Sequence, residues 1–170
     1  MVTALLIAAA LCGDAAPATE ADSLTGKVRI AGSSFRQVVS LLVKGGEAVK
    51  LSGDLDEIMR LQSIEIEVLG KKTDQGFDVA SYRILDIGGG ARPVVGRLVQ
   101  IGDDLALRDG DGSDIPLSLP PRAKARLLKK VGAKVWIHGK KLLTGQLKVL
   151  RYGVLRDPAG AAPPPPPTNE

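Results

Sequence analysis

Residues 66–72 read IEVLGKK and residues 135–141 read VWIHGKK: an apolar alternation, one glycine and a lysine pair, written twice at a spacing of 69. The recurrence extends outward from that pair. LTGKV (24–28) aligns with VVGRL (94–98) at an offset of 70, and VKLSGDL (49–55) with IPLSLPP (115–121) at 66. FDVASYRIL (77–85) aligns with LKVLRYGVL (147–155) at 70. Offsets that drift by a few residues are what loop insertions produce in a duplicated unit. Glycine-rich DIGGGARP (86–93) stands between the copies and reads as a linker, with 87–93 belonging to neither.

Both copies present the same succession of elements. In the first, GKVRIA (26–31), FRQVVSLLV (35–43) and AVKLSG (48–53) lie between glycine-rich turns, as strands do. LDEIMRLQ (55–62) is predicted to be a short helix, with Asp54 as its cap and Glu57 three residues on, a capping-box variant. IEIEVLG (64–70) and FDVASYRIL are the fourth and fifth strands. In the second copy, RLVQI (97–101), DLALRD (104–109) and DIPLSL (114–119) are the first three strands. PPRAKARLLKKVG (120–132) makes a helix entered through proline and closed by Gly132. AKVWIHG (133–139) and QLKVLRYGVL (146–155) complete the unit. Aromatic residues are only 3% of the chain, so the cores are Val, Ile and Leu, which favours strands.

Three strands, a helix and two strands is the order of an OB-fold, a five-stranded Greek-key barrel. Each copy resembles the small OB-type domains of exported bacterial proteins, through the glycine of strand one, the L-S-G or L-S-L after strand three, the helix, and the glycine-ended strand four. The resemblance covers residues 24–155. It implies a mainly β chain of two tandem five-stranded OB-like Greek-key barrels, at 23–86 and 94–156, each with a short helix between strands three and four. A unit of about 60 residues is only marginally able to bury enough surface, so side-by-side packing is expected; one ten-stranded barrel or sandwich is the rival architecture.

The first 22 residues, MVTALLIAAALCGDAAPATEAD, read as an export signal. Leu5 to Leu11 form an apolar run too short to cross a membrane, and Ala16-Pro17-Ala18 offers a small-x-small cleavage site before Thr19. No Lys or Arg precedes the run. Cys12 is the alternative processing point, as a lipid anchor, although Leu11 stands where a lipoprotein signal has a small residue. Cleavage after Ala18 removes the only cysteine, which fits an oxidising periplasm or exterior. No transmembrane helix is expected in the mature chain. Residues 157–170 end in a proline run and read as a disordered tail.

Catalytic signatures are missing. His138 is the single histidine, so neither a multi-histidine zinc site nor a histidine relay can be assembled, and neither enzyme activity nor a cofactor is expected. RDGDGSD (108–114) places Asp109, Asp111 and Asp114 at calcium-like spacing, but Pro120 stands where an EF-hand loop has glutamate; turn chemistry explains the run.

Charge is the informative pattern. Residues 94–155 carry 12 basic and 5 acidic side chains, a net of +7, against 9 and 8, a net of +1, over 24–85. Arg122, Lys124, Arg126, Lys129, Lys130, Lys134, Lys140 and Lys141 follow one another with no acid between them. Lys134, Trp136 and His138 share one strand face, where the indole either stacks on a ligand beside the lysines or covers the seam between the copies. The expectation is a non-enzymatic exported module of the bacterial envelope. Lys134, Trp136, His138, Lys140, Lys141, Arg122, Arg126, Lys129 and Lys130 are its candidate contacts with an anionic ligand or an acidic envelope protein. Single-stranded nucleic acid is the alternative partner, less favoured because strands two and three carry no aromatic stacking platform beyond Phe35.

Overall fold

The computed structural model describes residues 21–33 and 36–158. Residues 1–20 with Cys12, Phe35 and the tail from 159 lie outside the described residues, and with them the export, lipid-anchor and tail expectations. The first unit runs β1 (Asp22–Ser33), β2 (Arg36–Val43), β3 (Ala48–Gly53), α1 (Asp56–Met59), β4 (Glu65–Thr73) and β5 (Gly76–Asp86). The second runs β6 (Val94–Ile101), β7 (Asp104–Arg108), β8 (Asp114–Ser118), α2 (Pro121–Leu128), β9 (Lys134–Lys141) and β10 (Leu147–Arg156). Among the described residues no helix is long and apolar enough to cross a membrane.

The strands form two separate five-stranded sheets, so the ten-stranded alternative is not the fold. Neighbour order is β1-β2-β3-β5-β4 in one and β6-β7-β8-β10-β9 in the other, and each ring closes, β1 on β4 and β6 on β9. The sheets are mixed: β3 with β5 and β8 with β10 are parallel, and the remaining pairs are antiparallel.

Register accounts for every offset in the repeat. Gly26 faces Ile66 as Gly96 faces Val135, which fixes the offsets of 70 and 69. Lys27 faces Leu42 as Arg97 faces Arg108, so β7 lags at 66. The first hairpin of unit two is therefore shorter by two residues in each strand. Shortening by whole cross-strand pairs leaves every inward side chain facing inward. The longer helix α2 restores three residues. The β9–β10 turn adds one more, Leu143-Thr144-Gly145 standing where the first unit has Asp74-Gln75.

The doubled glycines answer to close backbone approach. A Cβ on Gly70 would strike the Asp78 carbonyl, and one on Gly139 the equivalent Lys148 carbonyl. Both adjoin the same irregularity: Ala80 of β5 is left without a partner between Val79, opposite Gly70, and Ser81, opposite Leu69, and Leu150 of β10 is left without one between Val149, opposite Gly139, and Arg151, opposite His138. Only a residue without a side chain lets the paired strand pass this close.

Inward residues build two cores. Leu98, Leu105, Leu107, Leu127, Val135 and Ile137 fill the second unit. Val28, Leu41, Ile58, Leu61, Ile66, Val68 and Phe77 fill the first, but this cluster also takes in Trp136 and Leu155 from β9 and β10. The units are thus joined by an apolar seam.

The segment expected as a plain linker is held in place. The Asp86 carboxylate accepts the backbone N–H groups of Gly88, Gly90 and Ala91 at 2.8–3.1 Å, and Ile87 is buried at 4% exposure. These amides hold the Asp86 carboxyl below its usual range.

Both helices differ from expectation at their ends. α1 has four residues, and Leu55, not Asp54, is its N-cap, with no side-chain capping bond. α2 ends at Leu128 with Lys129 as C-cap, three residues before Gly132. Tertiary contacts decide both ends. Glu57 turns away from the helix terminus, and the Gly132 N–H donates to the Leu98 carbonyl at 2.8 Å, joining it to β6.

Candidate functional site

Lys124 and Arg108 pair inside the second unit, with Asp104 and Asp114 at 2.8 Å; its candidate contact residues divide into two further groups. One group is spent on the seam. Glu57 of α1 is the only buried charged residue among the described residues, at 6% exposure. The Lys134 Nζ donates to its Oε2 at 2.6 Å, and the Arg156 Nε lies 3.0 Å from Oε1. From behind, the Tyr82 hydroxyl donates to Oε2 at 2.6 Å, while Lys134 Nζ stands 5.6 Å from the Tyr82 ring centre. Arg156 also reaches Asp54 at 3.3 Å, and Asp157 bridges Lys130 at 2.6 Å and Arg60 at 2.9 Å.

Burial pushes the Glu57 carboxyl up, but hydrogen bonds from Lys134 and Tyr82 with the charges of Lys134 and Arg156 outweigh it and hold the group below its usual range. The same contact, after burial itself, drives the Tyr82 phenol far up, so Tyr82 stays a neutral donor. Part of the electrostatic divergence between the copies is therefore internal complementarity: Glu57 and Asp54 of the first unit meet Lys134 and Arg156 of the second.

Trp136 belongs to this seam. It does share a face with Lys134 and His138, but the first unit covers it there, leaving 7% exposed. Its cross-strand partner is Gly153, where a Cβ would collide with the indole. The ring is closed off from any ligand that approaches from solvent, and Lys134 and Lys130 are already paired. A cleft of about 650 Å³ opens beside the seam, lined by Glu57, Arg97, Arg108, Lys134 and Arg156 among others. Its charges are largely matched, since Arg108 makes a two-pronged contact with Asp114 at 2.8 Å for each bond.

The second group faces outward. Arg122, Arg126, Lys129, Lys140 and Lys141 are exposed, and none forms an ion pair with a described residue. Lys140 lies directly opposite Lys148 across β9 and β10, two like charges on one face. The equivalent pair in the first unit is Lys71 and Asp78, of opposite charge. His138, half-buried, faces Arg151. From Ile115 to Arg156 the chain carries 11 basic residues and no acidic one, so the partners of Lys124, Lys130 and Lys134 all come from outside that stretch.

The aspartate loop is a turn. Asp109 accepts the backbone N–H groups of Asp111 and Ser113 at 3.0 and 2.9 Å, and Asp114 is occupied by Arg108. Asp109, Asp111 and Asp114 are not brought together, and no metal-competent cluster occurs among the described residues.

Two residues of consequence escaped the sequence reading. The sequence pattern offers Glu57 only as the capping-box partner of Asp54, and no motif marks Lys148. A signal for Lys148 existed, because aligning the repeats replaces Asp78 by Lys148 opposite a retained lysine. No protein-family model matches this chain, and no curated protein matches it.

Proposed function

We propose that the chain is an exported, non-enzymatic binding module of the bacterial envelope, built from two OB-like Greek-key barrels. The outer face of its second barrel holds an anionic partner. The observation that carries this reading is the opposed pair Lys140 and Lys148, flanked by Lys141, with Arg122, Arg126 and Lys129 also without an acidic partner among the described residues. Like charges placed directly opposite each other destabilise a sheet, and an anion that bridges them removes that cost. The seam supports a rigid arrangement, since an apolar contact and a buried carboxylate both span the two barrels. Export is supported by the apolar run from Leu5 to Leu11, and mass spectrometry of the mature N-terminus tests it.

Binding to poly-glutamate or heparin, measured against salt, tests the basic face. Wild-type affinity is expected to fall as salt rises, because exposed charges are screened within about 10 Å at 0.1 M. Reversing Lys129, Lys140, Lys141 and Lys148 to glutamate is expected to abolish binding, and unaltered binding removes this face from consideration. Single-stranded nucleic acid is the weaker candidate. OB-type binders stack bases on aromatic rings, and here Trp136 is in the seam while the Tyr82 hydroxyl is committed to Glu57.

A further inference from the structure

The turn joining β9 to β10 combines two features that no other described turn brings together. One is uncompensated positive charge: Lys140 and Lys141 end β9, and Lys148 stands opposite Lys140. The other is Leu143, fully exposed at 109%, the most exposed of the large apolar side chains among the described residues. Its position is fixed by backbone bonds. The Gly145 N–H donates to the Leu142 carbonyl at 3.0 Å, and the Leu142 N–H to the Gln146 carbonyl at 2.8 Å. Gly145 takes a positive φ of 81°. This is the three-residue hairpin loop in which a tight turn is followed by a left-handed residue.

Two other hairpins use the same hydrogen-bond pattern, over Val43–Glu47 and Asp109–Ser113. Where the β9–β10 turn presents Leu143, they present Lys44 and Gly110. The equivalent hairpin of the first unit is shorter, presents Asp74-Gln75, and opposes Lys71 with Asp78. At this place the second unit thus has one residue more, a leucine at the tip, and Lys148 where the first unit has Asp78.

We infer that this hairpin tip docks on an anionic phospholipid bilayer, with Leu143 entering the interface and Lys140, Lys141 and Lys148 lying among the phosphates. The inference rests on the anionic-partner reading above and names the partner. A lipid surface fits better than an acidic protein because the apolar group projects from a convex turn. A fluid bilayer receives such a group without a preformed pocket, whereas a folded partner needs a matching cavity. Basic side chains around an apolar residue are the combination that interfacial binding uses, apolar burial plus attraction to anionic headgroups.

The test is sedimentation of the full chain with phosphatidylglycerol vesicles and with phosphatidylcholine vesicles, wild type beside variants. Subtracting the neutral-lipid signal removes any binding by the N-terminal apolar run. Lys140→Ala with Lys148→Ala is expected to lower the anionic-lipid affinity about thirtyfold, at about fivefold per lysine. Leu143→Ser is expected to lower it about tenfold, with unchanged thermal melting because the side chain is solvated. A local readout comes from Leu143→Trp: its emission, taken as the difference from wild type with its single Trp136, is expected to shift to the blue on anionic vesicles. An unshifted emission, or anionic-lipid binding undiminished in both other variants, overturns the inference. Binding to poly-glutamate without binding to phosphatidylglycerol overturns it too and leaves the anionic-partner reading standing. Binding to neither polymer nor vesicle removes both.

Discussion

At one register position the two units do opposite things with the same backbone. On the outer face of strands four and five, the first unit sets Glu67 against Arg83, an ion pair with Arg83 71% exposed. The second sets Trp136 against Gly153 and buries the indole under its neighbour. Two residues toward the turn from His138, the contrast recurs in another form: Lys71 faces Asp78 in the first unit, and the equivalent Lys140 and Lys148 face each other in the second. Interior positions keep their character in both copies, because each ring must fill its own centre. Exterior positions are unconstrained by the fold and are where one copy acquired a seam and an open cationic face.

The sharpest way to break this comparison is at the seam. Trp136→Ala is expected to cost about 3–5 kcal/mol in denaturant unfolding, as large-to-small changes at packed aromatic sites do. Glu67→Ala at the equivalent position should leave stability nearly unchanged, since Glu67 pairs at the surface with groups that water can serve. Equal effects would mean that the indole is not bonding the units together.

Alanine at the doubled glycines tests the likeness of the units in place of their difference. Gly70→Ala and Gly139→Ala each thrust a Cβ against a partner-strand carbonyl, and each is expected to cost about 1–3 kcal/mol, the range for overpacking. Similar losses support one shared strand geometry. A large loss in one unit beside a negligible loss in the other would show that the two sheets absorb the same intrusion differently.

The duplication, the succession of strands along the chain and the two faces of AKVWIHG were legible in the sequence, because they follow from period-two alternation and glycine spacing, which are local. What covers an outward face is not local. Alternation placed Lys134, Trp136 and His138 together but carried no information on whether solvent or another unit lies above them. Glu57 failed for the same reason: its partners Lys134 and Arg156 are 77 and 99 positions away, and at helix spacing it resembled a cap. Lys148 was legible only by comparing the copies at paired positions rather than along one strand.

Acid supplies the next test. Glu57 titrates below its ordinary value of 4.5 in the folded chain, so its contribution to stability is fully present above about that pH and is lost as pH falls through the lower, folded value. Asp86, Asp114 and Asp157 are also held low by their partners, so acid destabilises the wild type through several groups. Subtracting the pH profile of Glu57→Gln from that of wild type isolates the clasp. The difference is expected to be about 1–2 kcal/mol at neutral pH and to vanish in acid. It stays modest because Lys134 and Arg156 are 44% and 59% exposed and can turn to water when the carboxylate is gone. A difference independent of pH would mean that Glu57 acts by shape rather than charge.

The smallest effect falls at the tip, and it carries two signs at once. Lys148→Asp gives β9 and β10 the arrangement that β4 and β5 already have, a lysine opposite an aspartate. Exchanging a like-charge pair for an opposite pair is expected to stabilise the chain by about 0.2–1 kcal/mol, read as a small rise in melting temperature. The same change removes one cation and adds an anion where a negatively charged partner would lie, so affinity for phosphatidylglycerol vesicles should fall as stability rises. That opposition is the signature of a group retained for contact at a cost to the fold. A variant that loses both stability and binding would instead make Lys148 a structural residue, and the resemblance of the two hairpins would end at their backbones.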